Sequence, residues 1–244
     1  MALIATFPAN AADVPDGLVP AIAPVSVYGW TGLYAGLNVG GILGDAAVSW
    51  TAPGLGFSTH GAADVNASSP GHFSTTGSTG GGQVGYNYQI RSILLGAEAD
   101  LGYAGISGSR SFISISNHNP YAQMVGGKWL TTFRGRVGFV QGSWLGYVTG
   151  GLAVANVSST DLFIGRHGVG PVNGSADQVR AGGTVGAGVE WAFLPQWTAR
   201  FEYLYVDLAT ASDVAIGTVT GAVIDHDHHL TENVLRVGVN FRFD

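Results

Sequence analysis

The sequence contains no cysteine, few charged residues and no long apolar run. Without cysteine, neither a disulfide framework nor a thiolate metal site is possible. Charged residues make up 11% of the 244 residues and leave a net charge of −6, which argues against nucleic acid as a partner. No stretch reaches the roughly 18 consecutive apolar residues of a transmembrane helix. A membrane crossing made of strands remains open.

The sequence is rich in glycine and in segments where apolar and polar residues alternate. Glycine accounts for 39 residues, roughly twice its usual share of about 7%. From residue 30 onward, apolar side chains alternate with polar side chains or glycine, which is the pattern of β-strands. Eight such segments are predicted, at residues 30–41, 82–89, 93–103, 129–140, 144–156, 179–193, 197–207 and 233–243.

The connections between these segments alternate strictly between short and long. Three short ones lie at residues 90–92, 141–143 and 194–196. Four long ones, at 44–81, 104–128, 157–178 and 208–232, are rich in Gly, Ser, Thr, Asn and Asp. In an antiparallel sheet, all short turns then fall at one end and all long loops at the other. The sequence therefore predicts an all-β fold, an eight-stranded antiparallel up-and-down transmembrane β-barrel.

Two arginines in an apolar segment indicate which face of the barrel contacts lipid. Arg134 and Arg136 share one face of their strand, and Phe133, Val137 and Phe139 share the other, because alternate residues of a strand point the same way. Glycine crowds the polar faces, as a cramped interior requires. Aromatic residues end the apolar faces, as they do in girdles at the two membrane interfaces. We therefore predict that the apolar faces contact lipid and that the charges point into the lumen.

These inward charges form a predicted lumen charge cluster. Buried charges persist when they are paired and hydrogen-bonded, so we expect Arg134 and Arg136 to face Glu98 and Asp100 on the neighbouring strand. A polar core that plugs the lumen is the preferred interpretation, and an ion pathway is the alternative. The predicted cluster comprises Glu98, Asp100, Arg134, Arg136, Arg180, Glu190, Arg200, Glu202, Arg236 and Arg242.

Eight short segments also resemble those of one protein family. They are WTGLYAGLNVGG, GGQVGYNYQ, LLGAEADLGYAG, FRGRVGFV, YVTGGLAVANV, GAGVEWAF, WTARFEYLYVDL and NVLRVGVNFRF. In this order they resemble the outer-membrane β-barrel proteins of alphaproteobacteria, known as porin-family or outer-membrane immunogenic proteins. The architecture of that family is similar to the OmpA membrane domain and the opacity proteins. The resemblance implies an eight-stranded barrel in the bacterial cell outer membrane, with surface-exposed and antigenic loops.

The two ends of the chain carry their own signals. Residues 1–11 combine a short apolar run with a small-x-small pattern typical of a signal-peptidase site. We interpret them as a signal-peptide remnant, with an ordinary N-terminal tail as the alternative, and residues 12–29 as a leader before the barrel at 30–243. Family members end in phenylalanine, which the barrel-assembly machinery reads, whereas here Asp244 follows Phe243.

One acidic, histidine-bearing stretch is the only candidate for metal chemistry. Asp225, His226, Asp227, His228 and His229 offer carboxylate and imidazole groups at i and i+2, ligand types that suit Zn²⁺ or Ni²⁺. A solvated surface loop is the simpler interpretation. No nucleophile and base are fixed by a motif, so neither an enzyme activity nor a cofactor is predicted.

The expected function is that of an integral outer-membrane protein with a structural and surface-interaction role, antigenic and adhesion-like. Its expected partners are outer-membrane lipid and lipopolysaccharide, the barrel-assembly machinery, and host or other surface ligands that bind the long loops. The alternative is a narrow, low-conductance porin for small solutes or ions.

Overall fold

The computed structural model describes residues 28–54, 62–63, 66, 71–113, 120–164, 171–216 and 223–243. These residues form eight antiparallel strands that pair in chain order and close into one barrel through β1 and β8. The strands are β1 Gly32–Thr51, β2 Gly71–Ile90, β3 Ile93–Ile113, β4 Pro120–Gln141, β5 Trp144–Ile164, β6 Pro171–Leu194, β7 Trp197–Ile216 and β8 Val223–Arg242. The predicted eight-stranded up-and-down barrel is confirmed.

The predicted signal remnant and most of the predicted leader, residues 1–27, lie outside the described residues. Among the residues that are described, no helix is both long and apolar enough to cross a membrane.

Three tight turns lie together at one end of the barrel, which we call the turn end. They connect β2 to β3, β4 to β5 and β6 to β7, at the positions that the sequence predicts. Gly142 has a φ of 60° and Arg91 a φ of 56°, the left-handed conformation that tight hairpin turns use. Glycine adopts this conformation without steric cost, whereas Arg91 adopts it against the preference of its Cβ.

The strands run much farther from the turn end than predicted, so the prediction of four long loops is wrong for many of their residues. β1 and β2 extend into the predicted loop 44–81, and the other strands extend in the same way into 104–128, 157–178 and 208–232. The physical reason is that the alternation continues with its sign reversed. Beyond the apolar band, residues such as Ile42 and Ala153 are buried inside the barrel, while Ser107 and Ser109 are exposed outside.

The inside and the outside of the barrel differ sharply near the turn end. Leu37 and Val237 are 68% and 51% exposed on the outer face, whereas Arg134 and Arg136 are each 3% exposed inside. Aromatic side chains cluster on the outer face near the turns, where Trp144 stacks on Trp191 and Trp197 packs against Phe241. An outer surface of this kind suits lipid, because every strand is paired with two neighbours and no polar backbone edge faces the apolar band.

Candidate functional site

The interior of the barrel is arranged in three layers along its axis. A lower apolar layer near the turn end contains Trp30, Leu94, Val140, Leu145 and Ala192. A charge layer follows, as β3 illustrates by carrying Glu98 and Asp100 above Leu94. An upper apolar layer lies beyond the charge layer, on the side away from the turn end. Its members include Ile42, Ala104, Leu130, Ala153 and Leu208. The charged groups are therefore enclosed by apolar side chains on both sides.

The charge layer is balanced in sign. It contains four carboxylates and four guanidinium groups, and each of the eight residues is at most 6% exposed. Removing a charge from water is costly unless the opposite charge and further hydrogen-bond donors or acceptors are in contact. The members are Glu98, Asp100, Glu190, Glu202, Arg134, Arg136, Arg200 and Arg236.

Glu98 lies at the centre of this layer. Arg200 binds it with two parallel contacts, Nη1 to Oε2 at 2.6 Å and Nη2 to Oε1 at 3.1 Å. Arg134 forms an ion pair with Oε1, and the hydroxyl of Tyr34 donates to Oε2 at 2.6 Å. The guanidinium of Arg136 lies 3.8 Å from Oε2. Both carboxylate oxygens are therefore saturated by charged or neutral donors, which is the arrangement that stabilises a buried anion.

Glu202 and Asp100 extend the same network across the lumen. Glu202 accepts a hydrogen bond from Arg236 Nε at 2.6 Å, from Arg134 Nη1 at 3.0 Å and from the hydroxyl of Tyr147 at 2.8 Å. Asp100 Oδ2 lies 2.9 Å from Arg134 and 3.0 Å from Arg236. Arg134 on β4 thus contacts carboxylates on both β3 and β7, and the two walls of the barrel are joined through the lumen.

Arg136 is held by a different set of contacts. Its Nη1 lies 3.1 Å from Glu190, its Nε donates to Asn87 at 2.9 Å, and its guanidinium carbon lies 4.6 Å and 5.2 Å from the ring centres of Tyr34 and Tyr147. Desolvated cation–π contacts of this kind add to the ion pair. Arg136 is therefore buried among a carboxylate, an amide and two aromatic rings.

Comparison with known proteins places this barrel in a family. The protein-family model of the outer membrane protein beta-barrel domain matches residues 1–243. The chain belongs to this family of outer-membrane β-barrels. It is 32% identical over 244 aligned positions to the 31 kDa outer-membrane immunogenic protein of Brucella melitensis, covering 96% of this chain and 93% of that protein.

Two further comparisons agree with this membership. The 22 kDa outer membrane protein of Rhizobium leguminosarum bv. viciae is 32% identical over 166 residues, which cover 67% of this chain and 66% of that protein. Among solved structures, the outer membrane protein OprG from Pseudomonas aeruginosa aligns with a TM-score of 0.50 at 11% identity, covering 89% of this chain and 99% of that one. The last likeness concerns the fold alone. The protein is an outer-membrane β-barrel.

The structure brings together eight of the ten residues of the predicted lumen cluster in this outer-membrane barrel. Arg134 contacts both of its predicted partners, whereas the main ion-pair partner of Arg136 is Glu190. Arg180 and Arg242 lie outside the charge layer. Arg180 lies higher, opposite Ala155 and at the level of the upper apolar layer, and Arg242 lies at the turn end. Alternation predicts the face that a residue occupies but not its height along the barrel axis.

The charge layer also has uncharged partners, which the predicted cluster of charged residues does not include. Thr132 donates to Asp100 at 2.6 Å, and Asn240 donates to Glu190 at 2.8 Å. A useful signal was present, since these residues lie on the polar faces of the predicted strands. Buried carboxylates need such donors as well as cations, because each ionised oxygen accepts more than one hydrogen bond.

One buried carboxylate lies apart from the charge layer. Glu232 is 2% exposed and occupies the level of the upper apolar layer, between Leu230 and Val234 on the same face of β8. Thr75 donates to its Oε1 at 2.9 Å, while its Oε2 has no hydrogen-bond partner and no ion pair among the described residues. This carboxylate therefore gains little from ionisation inside the barrel.

The predicted metal-binding stretch lies on strand β8 and not in a loop, so its predicted position is corrected. Asp225 and Asp227 are exposed, and His229 Nε2 lies 2.9 Å from Asp207 Oδ1. The side chains of His226 and His228 lie outside the described residues. Among the side chains that the structure does describe, no three His, Asp or Glu groups converge on a metal position.

Gly85 makes room for one of the charge-layer tyrosines. A Cβ at this position would collide with the hydroxyl of Tyr34, whereas a Cβ at Gly135, on the outer face, would meet nothing within 4 Å. We expect Gly85→Ala to displace the Tyr34 hydroxyl from Glu98 and to lower the free energy of unfolding by about 1–3 kcal/mol. Urea unfolding in lipid vesicles measures this, with Gly135→Ala as the matched control. Equal stability of the two variants would contradict the close packing of the interior.

Proposed function

We propose that this protein is a non-conducting outer-membrane barrel with a structural and surface-interaction role, in which the lumen is plugged by its own side chains. The observation that carries the proposal is the enclosure of the charge layer between two apolar layers. An ion that enters the lumen would have to cross apolar side chains and then separate ion pairs such as Arg134–Glu202, whose atoms lie 3.0 Å apart. Both steps are costly in a desolvated interior.

Planar-bilayer recording of the refolded full chain tests the plug. We expect no discrete current steps. The narrow, low-conductance porin is the second candidate, and the polar residues that fill the charge layer are what favours it. Reproducible steps whose ion selectivity changes in Arg200→Gln would replace the plugged barrel with that porin.

The surface-interaction part of the proposal is supported by the length of the strands. Strands of 20–24 residues are about twice the length that a bilayer requires, and the part farthest from the turn end carries outward polar residues such as Ser107 and Ser109. In the proposed orientation the turn end faces the periplasm and this long, polar part faces the cell exterior. Curated relatives are named outer-membrane immunogenic proteins and not enzymes, which fits an antigenic surface.

The proposed partners follow from the same orientation. Outer-membrane lipid contacts the apolar band, lipopolysaccharide surrounds the polar part above it, and host or other surface ligands bind farthest from the membrane. The barrel-assembly machinery is the proposed partner during insertion.

Cysteine labelling in intact cells tests the orientation, and the absence of native cysteine gives a clean background. Ser111 lies at the far end of β3, and Ser143 lies in a turn; both are exposed. We expect a membrane-impermeant maleimide to label Ser111→Cys in intact cells and Ser143→Cys only after the outer membrane is permeabilised. The reverse pattern would overturn the proposed orientation.

A further inference from the structure

Far from the turn end, hydrogen bonding between β6 and β7 stops. The last paired residues are Gly182 and Leu208. Beyond them β6 continues to Pro171 paired with β5, and β7 continues to Ile216 paired with β8. We call the two facing edges, β6 residues 171–179 and β7 residues 209–216, the β6–β7 seam. Within the described residues, no strand pairs with the side of β6 that faces β7, or with the side of β7 that faces β6, along the seam.

A β-bulge in β7 explains why the seam opens where it does. The register between β7 and β8 shifts between Leu208 and Ala211, so that Ala209 and Thr210 occupy the space of one residue on the partner strand. A bulge bends its strand and locally ends pairing. The bend falls immediately after Leu208, the last residue of β7 that pairs with β6. The bulge in β7 and the start of the seam therefore coincide.

The corresponding gap on the other side of the barrel is filled by side chains. Pairing between β2 and β3 ends at Thr76 and Ser107. Beyond that point Phe73 and Phe112 pack against the buried Val48 and Ala52, which joins the two strands through an apolar cluster. At the β6–β7 seam several of the described side chains are exposed instead, among them Val179 at 65%, Ala209 and Thr210.

We propose that the β6–β7 seam binds an extended, positively charged peptide segment of another protein, which adds as a strand to the open edges. A strand edge offers a row of backbone donors and acceptors that an extended backbone satisfies. Natural edges are commonly protected by Lys or Pro along the strand, whereas the β6 edge contains no Lys and has its one proline, Pro171, at its end. This inference rests on the proposed function, in which this end of the barrel faces the cell exterior.

Charge determines which segment fits. The side chains of Asp177 on β6 and Asp207 on β7 are 55% and 47% exposed, and Asp225 on the adjoining β8 is also exposed. Among the described residues, Lys128 Nζ lies 3.4 Å from Asp177 and His229 lies 2.9 Å from Asp207, which offsets part of this acidic charge. The three aspartates still outnumber these two partners, so the seam favours a segment with Lys or Arg on its outward face.

A second copy of this chain fits the seam poorly. Two copies in one membrane have the same orientation relative to the bilayer, so that β6 runs toward the turn end in both. Transmembrane barrel strands are tilted by about 35–45°, and a twofold axis along the membrane normal makes two such strands cross instead of aligning edge to edge. A segment from another protein has no such constraint and can follow the strand direction.

The test uses the full chain refolded in nanodiscs and a fluorescein-labelled decapeptide of alternating threonine and lysine. Binding is followed by fluorescence anisotropy, and hydrogen–deuterium exchange with mass spectrometry locates the contact. We expect saturable binding and slower exchange of backbone amides in residues 171–179 or 209–216. Two control peptides carry N-methyl groups on every threonine or on every lysine, which removes the donors of one edge. At least one of them should bind about tenfold more weakly or worse, because several hydrogen bonds are lost.

Three results would overturn the inference. They are no saturable binding of the unmodified peptide, equal binding of all three peptides, and slower exchange confined to other parts of the chain. Equal binding would mean that charge alone attracts the peptide. Labelling of Ser143→Cys in intact cells would instead overturn the proposed orientation, so failure of the peptide test and failure of the proposed function are distinguishable.

Discussion

Replacing Glu98 with glutamine is expected to lower the free energy of unfolding by about 3–5 kcal/mol, the usual cost of breaking a buried ion pair. Glu98 is 5% exposed and contacts the guanidinium groups of both Arg134 and Arg200. The amide keeps the shape of the side chain but removes its charge. It also turns an N–H group toward one of these cations. The charge layer is then left with one guanidinium in excess, at a buried position.

Glu232→Gln is the matched control, because it makes the same chemical change at another buried glutamate. Since Oε2 of Glu232 has no partner among the described residues, the amide removes a poorly stabilised charge and should cost less than about 1 kcal/mol or stabilise the protein. Urea unfolding in lipid vesicles, followed by tryptophan fluorescence and by heat-dependent gel migration, measures both. Equal and small effects would indicate a hydrated lumen and favour the porin.

The sequence contained enough information to predict which faces of the strands point inward. The period of a strand is two residues, so the spacing of Arg134 and Arg136 placed both on one face, and the glycine-rich composition of that face indicated the lumen. The partners of Arg134 on β3 could also be predicted, because β3 and β4 are consecutive strands of an up-and-down sheet and are therefore neighbours. Glu98 and Asp100 share the inward face of β3 by the same period of two residues.

Contacts across the lumen could not be predicted in this way. Arg134 reaches Glu202 on β7, and Tyr147 on β5 reaches the same carboxylate. These strands are not neighbours, and the contacts arise only from closure of the barrel and from the height of each residue along its axis. The sequence pattern does not contain the height of a residue along the barrel axis. The prediction therefore placed Arg180 and Arg242 in the cluster because of the face they occupy, although they lie at other heights.

The length of the strands was missed for a different reason. The predicted strands are those with an apolar outward face opposite a polar one, and that pattern ends at the edge of the apolar band. Beyond the band the outer face is polar, so the same strand continues with Ala104 and Ile106 buried inside. The signal of this extension in the sequence is a period of two residues that persists with its sign reversed.

A charge on the outer face is expected to be the other strongly destabilising change. Val237 is 51% exposed and lies between Phe201 on β7 and Val39 on β1 in the register of the sheet, in the middle of the apolar outer band. Val237→Arg should lower the free energy of unfolding in vesicles by about 2–4 kcal/mol, because the guanidinium must be placed near the bilayer midplane.

Val179→Arg makes the identical substitution on the outer face of β6, at a valine that is 65% exposed beside the polar Asn156. There the new arginine lies outside the apolar band and near Asp177, so the expected cost is within about 1 kcal/mol. Unfolding in detergent micelles and in vesicles of increasing thickness provides a second comparison, since only the cost at Val237 should depend on the bilayer. If both variants are equally stable, or if Val179→Arg is the more damaging, the apolar band does not contact lipid and the assignment of inside and outside is wrong.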